Sequence, residues 1–206
     1  MRVSRIQAAE NRQTVINVAS RLFRERGFDG IGLKDLMEGA GLTQGAFYKQ
    51  FASKEDLAVE ASKRALESAS GRWTEAAAQN PDDPLSAVIG FYLSSDHREE
   101  KMDGCPVVAL GSDAARQGPD VKAEFEAGIK AYLDVLDRLI AESGHEASPD
   151  KAMAILATMV GAVTLSRVVN DPDLARSLLD AAAERARDTA AAGKVPLKHG
   201  EIACSP

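Results

Sequence analysis

Between Thr43 and Lys49 the chain strings together groups suited to reading a polar surface rather than to breaking a bond. The Gln44 amide both donates and accepts, the pattern that pairs with the edge of adenine. Thr43 offers a hydroxyl to a base or a phosphate, and Gly45 and Ala46 permit close approach, with the Ala46 methyl suited to a thymine methyl. Tyr48, Lys49, Lys34 and Lys54 are spaced to reach phosphates, Lys54 at a helix start whose N–H groups also favour an anion. The sequence shows no nucleophile–base pair, phosphate loop or metal-ligand cluster, so neither an enzyme nor a cofactor is expected. The chemistry these residues suit is recognition of duplex DNA. The plainer alternative is a helical hairpin with a solvated polar face.

Reading DNA this way requires a helix end held at the tip of a small domain. A first helix is predicted from about Ile6 to Arg26, with Val15, Ile16, Ala19, Leu22 and Phe23 on one face and Gly27 as its stop. A second runs from about Leu33 to Ala40, where Gly41 can take the positive φ that ends it and Leu42 plugs the small core. Thr43 is the expected N-cap of a third helix, whose Phe47 and Phe51 fall on one side. Ser53, Lys54, Glu55 and Asp56 form a capping-box-like start to a fourth, predicted to about Gln79, with Ala58, Ala61, Ala65, Ala69 and Trp73 as its narrow apolar stripe.

These residues also carry a resemblance. The segment from about Val15 to Leu57 resembles the N-terminal DNA-binding domain of TetR/AcrR-family transcriptional regulators. The likeness rests on Ala19, Phe23, Gly27, Phe28, Asp35, Leu36, Ala40, Gly41, Leu42, Thr43, Gly45, Phe47, Tyr48, Phe51, Ser53 and Lys54. It implies an all-helical homodimer, a C-terminal domain that binds a small effector, and repression of an operator released by that effector; an activator on the same fold stays open. Gly32 stands where the family often has a phosphate-binding Thr or Ser, and Gln50 where it often has His, so neither phosphate contact is carried over.

Beyond residue 82, strand signals are nearly absent and prolines mark the helix starts. Asp83-Pro84, Cys105-Pro106, Gly118-Pro119, Ser148-Pro149 and Asp171-Pro172 each precede an apolar-periodic stretch, which predicts five further helices and about nine in all. The fold class expected is therefore all-α. Residues 1–53 form the helix-turn-helix domain, 54–195 a ligand-binding and dimerisation domain, and 196–206 a disordered tail. The stretch from Pro149 to about Asn170 is apolar nearly all round and needs cover on several sides. Together with the helix from Pro172 to about Ala192, it is expected to pack against a second copy as a four-helix bundle.

Trp73, Phe91, Tyr92, Met102, Cys105, Phe125, Tyr132, Met153 and Met159 are candidate lining for an effector pocket, although each read singly is also a plain core residue. Cys105, as the N-cap of a helix, has the setting that lowers a thiol pKa, which makes a redox- or electrophile-sensing repressor one alternative and an inert buried cap the other. His97, His145 and His199 are too scattered for a metal site, and His97, amid Asp96, Arg98, Glu99 and Glu100, reads as part of a solvated helix end.

Bulk charge fits a protein that meets phosphate at one end. The chain of 206 residues carries a formal charge of -6, but residues 1–64 hold 11 Lys/Arg against 8 Asp/Glu, a net of +3, and the remainder a net of -9. Two cysteines, Cys105 and Cys204, offer no disulfide framework. The sequence shows no signal-peptide core and no apolar run judged long enough for a bilayer, so the expected location is the cytoplasm, with no membrane partner.

Overall fold

The structure, a computed structural model, describes residues 4–193; the proposed tail, His199 and Cys204 lie outside the described residues. Within that span are nine α-helices and one 3₁₀ helix, with no strand among the described residues. They are α1 (Arg5–Arg26), α2 (Leu33–Gly39), a 3₁₀ segment (Gln44–Lys49), α3 (Lys54–Gln79), α4 (Pro84–Tyr92), α5 (Ser95–Glu99), α6 (Pro106–Ala114), α7 (Pro119–Glu142), α8 (Pro149–Val168) and α9 (Pro172–Ala191).

Local chemistry accounts for most of these limits. All five predicted proline starts are real, and Asp83, Cys105, Gly118, Ser148 and Asp171 each occupy the N-cap. Only two of the five cap with a side chain: Asp83 accepts from Ser86 N–H, and Asp171 accepts from the N–H groups of Asp173 and Leu174. At the others, proline's fixed φ and missing N–H do the work alone. The sequence reading missed α5, which has no proline start; Ser94 caps it by accepting from His97 N–H at 3.1 Å.

α3 ties the molecule together. At 26 residues it is about 39 Å long. It packs against α1, α4 and α7. The predicted stripe is buried throughout, from Leu57 and Ala58 through Ala61, Ala65 and Ala69 to Trp73. Four alanines keep neighbouring helices close along most of that stripe and leave one wide point at Trp73.

α8 corrects the membrane reading. By length and composition alone its 20 residues suffice to cross a bilayer. In the fold it packs against α9, α7 and α6, and buries Ala152, Ile155, Leu156, Met159, Ala162 and Val163. Met153, Leu165 and Val168 of α8, with Leu174 of α9, remain exposed.

Candidate nucleic-acid interface

The turn before the recognition segment is built by α2's own carbonyls. Gly41 has φ of 70°, the left-handed conformation that a side chain disfavours. This lets Leu42 N–H reach Met37 O at 2.8 Å and Gly41 N–H reach Glu38 O at 2.9 Å, the paired bonds of a Schellman stop. α2 lies so close to α1 that a Cβ on Gly39 would stand 3.0 Å from Val18 and 3.2 Å from Leu22. Leu42 then packs, half-buried, on the core.

The segment from Gln44 to Lys49 is a 3₁₀ helix, where an α-helix is expected from the sequence. Thr43 stands at its N-cap with extended backbone, yet its side chain makes no capping bond. With six residues, a glycine in second place and no hydroxyl cap, the tighter winding satisfies the backbone locally, Ala46 N–H donating to Thr43 O at 2.9 Å. Residues three apart eclipse in such a helix, so Gly45 lines up with Tyr48 and Ala46 with Lys49.

Phe47 anchors the segment. It is fully buried, stacks on Phe51 with centroids 5.4 Å apart, and meets Tyr48 edge-on at 5.2 Å. Thr43, Gln44, Gly45, Tyr48 and Lys49 are exposed, Tyr48 to 69%, and Ala46 is half-buried. Lys34 is exposed on α2, with Glu38 at 3.8 Å. Lys54 is half-buried in the first turn of α3, where Ser53 Oγ accepts from Asp56 N–H and Asp56 accepts from Ala52 N–H. Glu55 and Asp56 already place negative charge in that turn, so any phosphate there depends on the Lys54 ammonium rather than on the helix end alone.

Sequence reading missed the residue that holds this segment from behind. Arg12 of α1 forms a paired hydrogen-bonded salt bridge with Glu60 of α3, lies 4.7 Å over the Phe51 ring, and donates to Gln50 O at 3.4 Å. One guanidinium therefore joins α1, α3 and the end of the recognition segment. Its signal in the sequence is slight, since an arginine early in a long helix looks like any other solvated charge.

Residues 15–61 match the family described as bacterial regulatory proteins, tetR family. The N-terminal segment of this chain is thus a match to the TetR family's DNA-binding domain. The chain is 24% identical over 140 residues to the HTH-type transcriptional repressor NemR of Escherichia coli K12, covering 66% of this chain and 70% of that one. The crystal structure of reduced E. coli NemR superposes with a TM-score of 0.74 at 21% identity, covering 87% of this chain and 97% of NemR. A TetR regulator from Chloroflexus aurantiacus gives the same TM-score at 26% identity, over 89% and 95% of the two chains. The Bacillus subtilis regulator FadR, solved with stearoyl-CoA, shares the fold with a TM-score of 0.64 at 19% identity, over 89% and 99%.

In the C-terminal half, four of the pocket candidates come together. Trp73 stacks on Tyr132 at 4.7 Å and 20°, and meets Tyr92 edge-on at 5.5 Å. Cys105 lies beside both tyrosines, close enough for its thiol and their hydroxyls to influence one another. Phe125 and Met159 are buried elsewhere in the same core, Phe91 is half-buried under the Arg72 guanidinium at 4.9 Å, and Met102 is half-buried. Met153 is a correction: it is 52% exposed on α8 rather than part of the core.

Two further readings are reversed. His97 is not solvated but 3% exposed, with Nδ1 2.6 Å from Tyr92 O and Nε2 accepting from Cys105 N–H at 3.0 Å. This pair of bonds requires the neutral ring with its proton on Nδ1, and burial lowers the pKa to about 4. Cys105 does sit at the N-cap of α6, but burial pushes its thiol pKa up, outweighing Tyr92 and the nearby N–H groups of Val107 and Val108. The expected low-pKa thiolate is thus not what this site favours.

Around His97 and Cys105 the loop is bound by arginines from three helices. Arg24 of α1, 6% exposed, donates to Gly104 O at 2.9 Å, and Arg21 pairs with Asp103 at 2.9 Å. Arg72 of α3 donates to Asp103 O at 2.7 Å and pairs with Glu100 at 2.6 Å. Arg167 of α8 donates to the carbonyls of His97, Arg98 and Glu100 at 2.8 to 3.1 Å.

Proposed function

We propose that this TetR-family chain is a homodimeric repressor that grips a near-palindromic operator and lets go when a small effector occupies its C-terminal half. The observation that carries the reading is the exposed Thr43–Lys49 tip seated on a fully buried Phe47 and clamped by Arg12. Gln44 reads a base edge, Thr43, Gly45 and Ala46 fit the groove floor, and Lys34, Tyr48, Lys49 and Lys54 take phosphates. Residues 1–53 serve DNA and 54–195 serve effector binding and pairing, with α3 shared between them.

The paired surface in this reading is α8 and α9. Support comes from the exposed Met153, Leu165, Val168 and Leu174 on two helices that already pack on each other. Pairing through them sets two recognition segments about 34–36 Å apart, one turn of DNA. FadR's stearoyl-CoA complex supports a small-molecule effector, and NemR's designation as a repressor supports the sign of control. The operator lies in the cytoplasm, which is where the protein would act.

The test is selection of bound duplexes from random DNA by the purified protein, followed by a metabolite screen for loss of binding. The reading expects enriched inverted repeats whose retention at least one metabolite abolishes. Failure to enrich any sequence over the starting pool contradicts it.

A further inference from the structure

The DNA-binding head (α1, α2 and the 3₁₀ segment) is fastened to the rest of the chain at both ends of one short helix. Apart from α3, which runs through both halves, α6 is the helix of the C-terminal half that packs on α1, and it also packs on α7 and α8. At the start of α6, Arg24 donates to Gly104 O at 2.9 Å and Arg21 pairs with Asp103 at 2.9 Å. At its far end, Asp113 Oδ2 accepts from Phe28 N–H at 3.3 Å. The nine residues of α6 span about 13.5 Å, so the two fastenings are well separated. A single fastening would leave α1 free to pivot about it; the second removes that freedom.

The stability of α6 does not explain the far fastening. Asp113 lies in the last turn of α6, where the helix dipole disfavours an anion. Its carboxylate is held by Phe28 N–H on one oxygen and by Arg116 on the other. Gly27 permits the close approach: its φ of 76° turns the chain out of α1, and a Cβ there would stand 2.5 Å from Asp113 Oδ2. Phe28 is 3% exposed and meets the Phe23 ring at 5.2 Å, so the bond reaches the core of the head itself. As an anion, Asp113 is no phosphate contact, and any effect it has on DNA passes through the placing of α1.

We propose that Asp113 is a positioning residue for operator recognition. By stopping α1 from pivoting on α6, it fixes the angle between each head and the paired α8 and α9, and so sets the half-site spacing that the dimer accepts. The inference rests on the paired-operator reading above. One added base pair moves a half-site by about 3.4 Å and turns it by about 35°. Two heads held at fixed angles fit one such phase. Heads that pivot fit several, and bind the best one more weakly because the pivoting must be stopped on binding.

The experiment measures binding by full-length wild type, Asp113→Ala, Asp113→Asn and Arg116→Ala, with Tm for each protein. The duplexes are the selected one, a single half-site, and versions whose half-sites are moved one or two base pairs closer or further apart. The wild type should prefer one spacing. In Asp113→Ala the affinity ratio between that spacing and its neighbours should fall about tenfold, with single half-site affinity unchanged. Asp113→Asn keeps an acceptor for Phe28 N–H and should hold most of the preference. Arg116→Ala removes only the brace, from an exposed side chain, and should loosen the preference to a smaller degree. A merely structural role for Asp113 would instead weaken all duplexes alike, in step with Tm. That result, or a spacing preference unaltered in Asp113→Ala, overturns the assignment. Should Asp113→Ala fail to fold, Arg116→Ala decides: a loosened preference supports the role and an unaltered one overturns it. A wild type with no spacing preference sinks the paired-operator reading itself, whereas a preference that the variants keep sinks only the role of Asp113.

Discussion

At the residue scale, the roles proposed for Gln44 and Lys49 are separable by experiment. Replacing Lys49 with Ala should weaken binding to all duplexes alike and reduce the slope of log K against log salt by about 1. Replacing Gln44 with Ala should cost about 1–3 kcal/mol at the selected site, with much less effect on mismatched DNA. Anisotropy titrations on matched and scrambled duplexes over a range of salt check both. Equal effects of the two variants on both duplexes would refute the roles. His97 supports a prediction about pH. Its folded pKa, lowered to about 4, lies below the unfolded value near 6.5, so the unfolded chain binds more protons between those values. His97's contribution is therefore fully present above about pH 6.5 and is lost as pH falls towards 4, by up to about 3 kcal/mol. Urea unfolding at pH 7 and pH 5 should show the loss, and His97→Gln should reduce its size. Sequence could not reveal this histidine, because its two partners, Tyr92 O and Cys105 N–H, meet it only after α5 folds over the core. Arg24 was more legible than it looked: it lies on the buried side of α1, four residues after buried Ser20 and beside Phe23.

At the scale of elements, legibility followed local chemistry. The proline starts and the Gly41 stop depend on backbone rules within a few residues, and these features fall where the sequence placed them. The winding of Gln44–Lys49 and the five-residue α5 did not, because segments this short take their form from what they pack against. The caps separate pattern from energy. Asp171 accepts two N–H bonds, so Asp171→Ala should cost about 1 kcal/mol. Ser148 occupies an equivalent position but caps nothing with its side chain, and Ser148→Ala should leave the unfolding midpoint almost unchanged. Equal losses in denaturant unfolding would show that N-cap identity, not bonding, sets the stability of these starts. The Arg12 clamp belongs here too. Arg12→Ala should weaken DNA binding although Arg12 itself lies behind the reading surface, because Phe51, Gln50 O and Glu60 lose a shared partner.

For the whole molecule, α3 and the arginine-bound loop from His97 to Cys105 lie between the exposed polar tip and the apolar face on α8 and α9. The charge asymmetry, +3 over residues 1–64 and -9 beyond, was readable from sequence and orients the molecule on a polyanion. The loop network was not, since its arginines come from positions 24, 72 and 167. Pairing through α8 and α9 predicts that Leu165→Glu with Val168→Glu gives a folded monomer by sedimentation, with operator affinity reduced at least a hundredfold. A dimer that survives both changes would move the interface elsewhere. The most direct measurement is the stoichiometry and salt dependence of the full-length protein on its selected duplex, by analytical ultracentrifugation and anisotropy. We expect an even number of chains per palindromic site and affinity that falls steeply with salt. A single chain per site, or no salt-sensitive attraction to duplexes of any sequence, would contradict it.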